Sequence, residues 1–163
     1  MLKKLFGKKE RILTVQAPLK GKVMPLSEVP DPVFSDKMMG DGVAIEPGEA
    51  VVRAPVDGEI IQLFHTKHAV GIRTEEGLEV LIHIGLETVS MEGEGFTAKV
   101  KEGDRVRAGQ PLIEFSLDAV QEKAKSTITP IVITNMDKVE SLEPKVSEEA
   151  EPGDPVMEVK VKS

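Results

Sequence analysis

Short, regularly spaced β-type runs separated by Gly, Pro and Asp constrain the fold of this chain more than any other feature. The runs are LTVQAP, GKVMPL, GVAIEP, AVVRAP, GEIIQLF, AVGIRT, LEVLIHIG, RVRAGQPLIEF, PIVITN and VMEVKVK. In the run of residues 78–84, apolar residues alternate so that Ile82 and His83 lie on opposite faces. Strands of this length and spacing predict an all-β sandwich or barrel. Because Trp and Tyr are absent, we expect an aliphatic core.

Two segments depart from the strand pattern. Residues 117–125 contain good helix formers, with an acid near the start and lysines near the end, and they predict one short helix. Residues 143–155, EPKVSEEAEPGDP, predict an exposed acidic loop before the last strand.

The chain contains an internal repeat. Residues 17–26 and 54–63 share the pattern A-P-x-x-G-x-(V/I)-x-x-L, and a weaker echo pairs residues 103–106 with 153–156. The two echoes together favour a duplicated hairpin unit, in which the shared glycine supplies a turn conformation.

Charge is distributed unevenly along the chain. Residues 1–12 carry a net charge of +4, and the remainder is −11 because the whole chain is −7. We predict a basic, flexible tail over residues 1–12, with weak or no membrane contact, and one domain over residues 13–163. The acidic body argues against nucleic-acid binding, and no apolar run approaches the ~20 residues of a membrane span, so we expect a cytoplasmic protein.

Three histidines, His65, His68 and His83, lie close together in the sequence. His68 begins one predicted strand and His83 ends the next, with a turn near residues 74–77 between them. Antiparallel pairing about this turn predicts that His68 and His83 are direct cross-strand neighbours.

Paired imidazoles on a sheet suit two chemistries. A neutral imidazole is a good nucleophile for phosphoryl transfer, a second imidazole can donate to the phosphoryl oxygens, and Thr66 could fix the tautomer of that second ring. The other chemistry is metal binding by His65, His68 and His83. Alternation places His65 and His68 on opposite faces, so we predict no self-contained metal site and no cofactor, with a zinc site completed by a partner left open.

At these residues the chain resembles the glucose-type enzyme IIA of the bacterial phosphoenolpyruvate-dependent sugar phosphotransferase system. The resemblance covers residues 13–162, in order and with fitting spacing. The matching segments are residues 17–21, 29–34, 40–45, 54–58, 68–69, 80–85, 93–96 and 122–130.

The resemblance implies a compact antiparallel β-sandwich of duplicated motifs, and it implies roles for particular residues. His83 matches the phosphorylated histidine, His68 the histidine that contacts the phosphoryl group, and Thr66 the hydroxyl that orients His68. Asp31 and Glu87 match acidic positions beside the site, where the family commonly has Asp at the second. An apolar ring for docking partners is implied at Phe34, Met38, Met39, Phe64 and Leu81.

The resemblance also implies partners. The phosphoryl group would come from phospho-HPr and pass from His83 to a cysteine of an enzyme IIB domain, in a free-standing IIA protein that could have regulatory targets as well. Carboxylates beside the site would repel the phosphoryl dianion and keep it easy to release.

Two alternatives remain open at this point. Residues 102–112 resemble the E-G-D-x-V-x-x-G-Q-x-L segment of biotinyl and lipoyl carrier domains, with Lys37 as the only candidate for the modified lysine. A zinc-binding hydrolase on a similar scaffold would need an H-x-H pair, which the sequence lacks.

Overall fold

The structure is a computed structural model that describes residues 11–162, and this part of the chain folds into fourteen strands and two short helices. The first seven strands are β1 (Arg11–Gln16), β2 (Gly21–Pro25), β3 (Asp41–Pro47), β4 (Val51–Arg53), β5 (Gly58–Leu63), β6 (Ala69–Arg73) and β7 (Glu79–His83). The others are β8 (Phe96–Ala98), β9 (Arg105–Val106), β10 (Pro111–Phe115), β11 (Thr129–Ile133), β12 (Val139–Pro144), β13 (Ser147–Ala150) and β14 (Pro155–Val161). The helices are α1 (Pro32–Ser35) and α2 (Leu117–Lys123).

The strands form a sandwich of one large sheet and two small ones. The large sheet has the order β13-β2-β3-β11-β7-β6-β5-β9, and the small sheets have the orders β1-β14-β12 and β4-β10-β8. The strand pairings within the sheets are antiparallel. The main core between the sheets is almost entirely aliphatic, with Ile82 of β7 and Val159 of β14 both fully buried in it. The predicted all-β antiparallel sandwich is confirmed.

Several predicted boundaries were wrong. Residues 143–155 do not form one loop, because β12 ends and β13 lies within them, although nearly all of their side chains are exposed. The run predicted at residues 105–115 is divided into β9 and β10 by a turn with Gly109 at a φ of +95°. Strand β1 begins at Arg11, so the last two residues of the predicted tail belong to a sheet. Residues 1–10, with the predicted membrane contact, lie outside the described residues.

The strands fall into two similar halves, as the repeat predicted. Outward from the centre of the large sheet, the order β11-β3-β2-β13 mirrors β7-β6-β5-β9, and each small sheet has one central strand. The hydrogen bonds between the two repeats are also symmetric. The Gln16 N–H donates to the Pro55 carbonyl at 2.9 Å, and the Arg53 N–H donates to the Pro18 carbonyl at 2.7 Å. The fold is therefore a duplicated unit closed around a pseudo-two-fold axis between β7 and β11.

The shared glycines serve close packing of backbones, which corrects the predicted turn conformation. A Cβ on Gly21 would lie 2.1 Å from the Glu46 carbonyl oxygen, and a Cβ on Gly58 would lie 2.3 Å from that of Arg73. The weaker echo was also mispaired. The Ala54 N–H donates to the Gln110 carbonyl as that of Ala17 does to Asp154, so residues 109–112 are the counterpart of residues 153–156.

One asymmetry between the halves creates a second, smaller core. Residues 26–40, which connect β2 to β3, fold back over the face of the large sheet that points away from the main core. We call this face the site face; it carries Met24, Ala44, Leu81 and Val132, and Phe34 of α1 packs against it. The matching connection between β5 and β6 is only residues 64–68, so the sheet beside β7 stays less covered. Among residues 11–162, no helix has the length and hydropathy to cross a membrane.

Candidate active site

His83 stands at the end of β7 on the site face, half-buried, with its ring held by one hydrogen bond. Its Nδ1 lies 2.7 Å from the carbonyl oxygen of Gly85. A carbonyl oxygen can only accept, so Nδ1 carries the proton and Nε2 keeps its lone pair. Gly85 has a φ of +72°, in the left-handed region that turns its carbonyl back towards the histidine.

His68 lies beside His83, although not in the predicted register. The residue opposite His83 is Ala69, and the His68 carbonyl accepts from Ile84 N–H at 2.7 Å, so the prediction of direct cross-strand neighbours was wrong by one residue. The two imidazole centroids are nevertheless 4.8 Å apart, with their planes at 80°. Strand alternation does not extend through His68 because Lys67, with a φ of +60°, turns the chain immediately before it.

Thr66 contacts the far side of the His68 ring. Its Oγ1 lies 2.5 Å from His68 Nδ1, and the hydroxyl can either donate to that nitrogen or accept from it. When the hydroxyl donates, the proton of His68 is on Nε2, where it is available as a hydrogen-bond donor. His68 is 2% exposed, so little water competes for this contact.

Both imidazoles are held in the neutral form. Burial, and to a smaller extent the charge of His83, lower the pKa of His68 from 6.5 to about 4. Burial also lowers the pKa of His83, while its hydrogen bond to the Gly85 carbonyl and the Asp31 carboxylate raise it in part. At neutral pH the site therefore presents an unprotonated Nε2 on His83.

The two predicted acidic residues occupy different positions. Asp31 is half-buried at the start of α1, where its carboxylate accepts from Val33 N–H at 3.0 Å and acts on the charge of His83. Glu87 is exposed in the turn after β7, in the left-handed region at a φ of 58°, and among the described residues no side chain binds its carboxylate. Only Asp31 is thus linked electrostatically to the site.

The predicted apolar ring divides into a buried and an exposed part. Phe34 and Leu81 are 4% and 5% exposed, and the Phe34 ring packs against His83 with centroids 5.1 Å apart. Half-buried Phe64 meets the His68 ring edge-on at 5.4 Å. Met38 and Met39 are 71% and 38% exposed, so they carry most of the ring's free apolar surface.

The remaining candidate residues stay apart from this pair. His65 is exposed, and within residues 11–162 no three or more His, Cys, Asp or Glu side chains form a group that could hold a metal ion. A partner-completed zinc site stays a prediction. Lys37 follows α1 and forms an ion pair with Asp41 at 3.5 Å.

The sequence predicted no role for three residues beside His83. They are Gly85, whose carbonyl accepts a hydrogen bond from His83, and Thr88 and Thr129, whose hydroxyls contact the backbone of Ile84 and Gly85. The available signal was a glycine two residues after the histidine, followed by a threonine in a turn.

A duplicated antiparallel sandwich with two neutral, adjacent imidazoles fits the class of histidine phosphocarriers. The chain matches the family described as phosphoenolpyruvate-dependent sugar phosphotransferase system, EIIA 1, over residues 13–139. It is 60% identical to the glucose-specific EIIA component of Bacillus cereus, over 99% of this chain and 100% of that protein. It is 52% identical to the glucose-specific EIIA component of Halalkalibacterium halodurans, over 94% of each chain.

A solved structure agrees with this result. The glucose permease IIA from Mycoplasma capricolum matches with a TM-score of 0.84 and 40% sequence identity, over 94% of this chain and 97% of that one. The chain belongs to the EIIA family of the phosphoenolpyruvate-dependent sugar phosphotransferase system. It is a phosphocarrier component of that system, and the carrier-domain and zinc-hydrolase alternatives gain no support.

Proposed function

We propose that Nε2 of His83 accepts a phosphoryl group from phospho-HPr and passes it to a cysteine of an enzyme IIB domain in the cytoplasm. The observation that carries this proposal is the hydrogen bond from His83 Nδ1 to the Gly85 carbonyl, which leaves Nε2 unprotonated. The names of the relatives from Bacillus cereus and Halalkalibacterium halodurans support glucose as the sugar.

Loading and delivery each exchange one bond at phosphorus. In loading, the Nε2 lone pair of His83 forms the new N–P bond as the N–P bond of the donor histidine breaks, and the donor imidazole keeps that electron pair. In delivery, a cysteine thiolate forms an S–P bond, and the electron pair of the breaking N–P bond returns to Nε2. Neither step needs a redox partner or a metal ion at this site.

His68 and Thr66 serve the phosphorylated state. The contact of Thr66 Oγ1 with His68 Nδ1 allows the hydroxyl to donate, and in that arrangement His68 carries its proton on Nε2 and donates it to a phosphoryl oxygen. As a neutral donor, His68 can keep its hydrogen bond to the phosphoryl group during the transfer without losing or gaining a proton. The low pKa of His68, about 4, keeps the ring in this neutral form at pH 7.

The test is intact mass after incubation with phosphoenolpyruvate, enzyme I and HPr, followed by peptide mapping. We expect one acid-labile phosphoryl group on the peptide that contains His83, and its transfer to the cysteine of an added enzyme IIB domain once the donor proteins and phosphoenolpyruvate are removed. His83→Gln should abolish loading. Phosphate on His65 or His68 in that variant would overturn the assignment.

Two variants separate the roles of the other histidines. His68→Gln should still load but should deliver the phosphoryl group to enzyme IIB at least tenfold more slowly, which is roughly the loss of one charge-assisted hydrogen bond. His65→Gln is the matched control, since His65 is exposed and lies only three residues away. Loading and delivery should both proceed at the wild-type rate in His65→Gln.

A further inference from the structure

The peptide group that joins Ile84 to Gly85 is held at both ends by threonine hydroxyls. The Ile84 carbonyl accepts from Thr88 Oγ1 at 2.7 Å, and the Gly85 N–H donates to Thr129 Oγ1 at 3.4 Å. The Thr129 hydroxyl donates in turn to the Thr127 carbonyl at 3.0 Å, so its own proton is also bound. Both threonine side chains are fully buried, and water does not compete for these contacts.

The next peptide group carries the acceptor for His83. The Gly85 carbonyl accepts from His83 Nδ1 at 2.7 Å, while the Leu86 N–H donates to the Ser126 carbonyl at 2.9 Å. A Cβ on Gly85 would lie 2.7 Å from Thr88 Cγ2 and 2.8 Å from the Ser126 carbonyl oxygen. The orientation of this carbonyl therefore depends on the Ser126 carbonyl and, through Gly85, on the neighbouring peptide group that the threonines contact.

Buried hydroxyls are concentrated at this point. Among residues 11–162 the buried polar or charged side chains are His68, Thr74, Thr88 and Thr129. A buried hydroxyl costs free energy unless it is hydrogen-bonded, and valine would fill the same space without that cost. Thr74 accepts from Leu78 N–H in the turn between β6 and β7, whereas Thr88 and Thr129 contact the peptide group that precedes the Gly85 carbonyl.

We propose that Thr88 and Thr129 are positioning residues for phosphoryl transfer, an inference that rests on the proposed role of His83. By fixing the Ile84–Gly85 peptide group they keep the Gly85 carbonyl against His83 Nδ1, and so they hold the ring in its Nδ1–H tautomer. The other tautomer has its proton on Nε2 and cannot attack phosphorus. As the N–P bond forms, positive charge develops on the ring, and the fixed carbonyl dipole stabilises it.

Valine substitutions test this proposal because they remove the hydroxyl and keep the side-chain size. In Thr88→Val and Thr129→Val we expect the Nδ1–H tautomer of His83 to lose population, measured by two-bond proton–nitrogen correlation spectra of the imidazole. The rate of loading from phospho-HPr should fall roughly fivefold in each, the effect of one net hydrogen bond. Thr129→Ser keeps the hydroxyl and should restore both readouts.

Thr74→Val is the matched control, since it removes a buried threonine hydroxyl at the far end of β6 and β7. We expect it to lower stability and to leave the tautomer and the loading rate unchanged. Because Thr88 and Thr129 hold one peptide group, the double valine variant should lose less than the product of the two single losses.

The outcomes separate this inference from the proposed function. If wild-type protein were phosphorylated elsewhere than His83, the proposed function would fail, while the tautomer measurement would still test the positioning. If either valine variant folded, kept the wild-type tautomer and loaded at the wild-type rate, the positioning role would be overturned and the proposed function would stand. Should Thr129→Val not fold, Thr88→Val gives the same readout.

Discussion

The protonation of each imidazole is set by one neighbouring hydrogen-bond partner. His83 faces a carbonyl that can only accept, whereas His68 faces a hydroxyl that can donate or accept. His83 therefore has one favoured tautomer, as a nucleophile needs, while the tautomer of His68 follows the direction of its hydrogen bond with Thr66. Burial lowers the pKa of both rings and so keeps them uncharged near neutral pH.

The low pKa of His68 predicts a pH-dependent loss of stability. Its pKa is about 4 when folded and 6.5 when unfolded, so below pH 6.5 the unfolded state binds more protons. The free energy of unfolding should thus fall between pH 6.5 and 4, by roughly 2–3 kcal/mol from this residue. Urea unfolding between pH 6.5 and 4 should show a smaller fall in the free energy of unfolding for His68→Gln than for the wild type. The prediction is contradicted if this free energy depends on pH equally in the two proteins.

Asp31 offers a second prediction at the residue level. Asp31→Asn keeps a side chain that can accept from Val33 N–H at the start of α1, but removes the charge that raises the pKa of His83. We expect a lower pKa for His83 in an NMR titration and a several-fold slower delivery to enzyme IIB, because repulsion of the phosphoryl dianion is lost.

Asp36→Asn is the control, since it removes an exposed carboxylate at the other end of the same helix. The repulsion hypothesis fails if Asp31→Asn slows neither loading nor delivery.

Among the elements, β7 does most to place the site. Its alternation buries Val80 and Ile82 in the main core and leaves Leu81 and His83 on the site face. It also lies at the centre of the large sheet, between β6 and β11, so its position is fixed by hydrogen bonds on both sides. A nucleophile on a central strand moves little, which suits a reaction that depends on positioning.

The packing of β5 against β6 predicts which glycines tolerate a methyl group. Gly58→Ala would bring a Cβ to 2.3 Å from the Arg73 carbonyl oxygen, so the two strands would have to separate. We expect a loss of more than about 2 kcal/mol in the free energy of unfolding. Gly48→Ala, whose nearest neighbour would be 3.7 Å away, should change it by less than about 1 kcal/mol. Chemical denaturation of both variants is the measurement, and similar losses would refute the packing argument.

On the scale of the whole molecule, function arises where the two similar halves differ. Residues 26–40 cover one half of the site face, and the short connection of residues 64–68 leaves His83 partly exposed in the other. The long connection also supplies Asp31 and the exposed methionines after α1. The same insertion therefore completes the second core and provides surface for partners.

The exposed methionines predict weaker partner docking when they are made polar. The double variant Met38→Gln, Met39→Gln should raise the KM for phospho-HPr about tenfold, because burial of one methionine side chain contributes roughly 1.5–3 kcal/mol. Its stability should not change, since both side chains are exposed.

Ile12→Gln is a matched control, because Ile12 is also exposed but lies on a small sheet, across the main core from the site face. If the double variant and the control had the same KM as wild type, the methionines would have no part in docking.

The sequence by itself determined the features that depend on local pattern. The alternation of residues 78–84 placed His83 opposite the apolar face, and the repeated A-P-x-x-G pattern revealed the duplication. The resemblance to glucose-type enzyme IIA identified His83, His68 and Thr66 as the candidate site, and the structure brings these residues together. Strands β12 and β13 escaped detection because each buries only one residue in the main core, Val139 and Ala150, so neither has an apolar alternation.

Tertiary structure alone decided the features that depend on distant backbone. The pairing of Arg73 with Glu79 across the turn of residues 74–78 sets the register one residue from the prediction, and the left-handed turn at Lys67 still leaves the His68 ring beside His83. The burial of Phe34 and Leu81 follows from the way residues 26–40 fold over the sheet. Thr88 and Thr129 look like ordinary polar residues in the sequence, because Thr129 reaches the Ile84–Gly85 peptide group only where β11 packs beside β7.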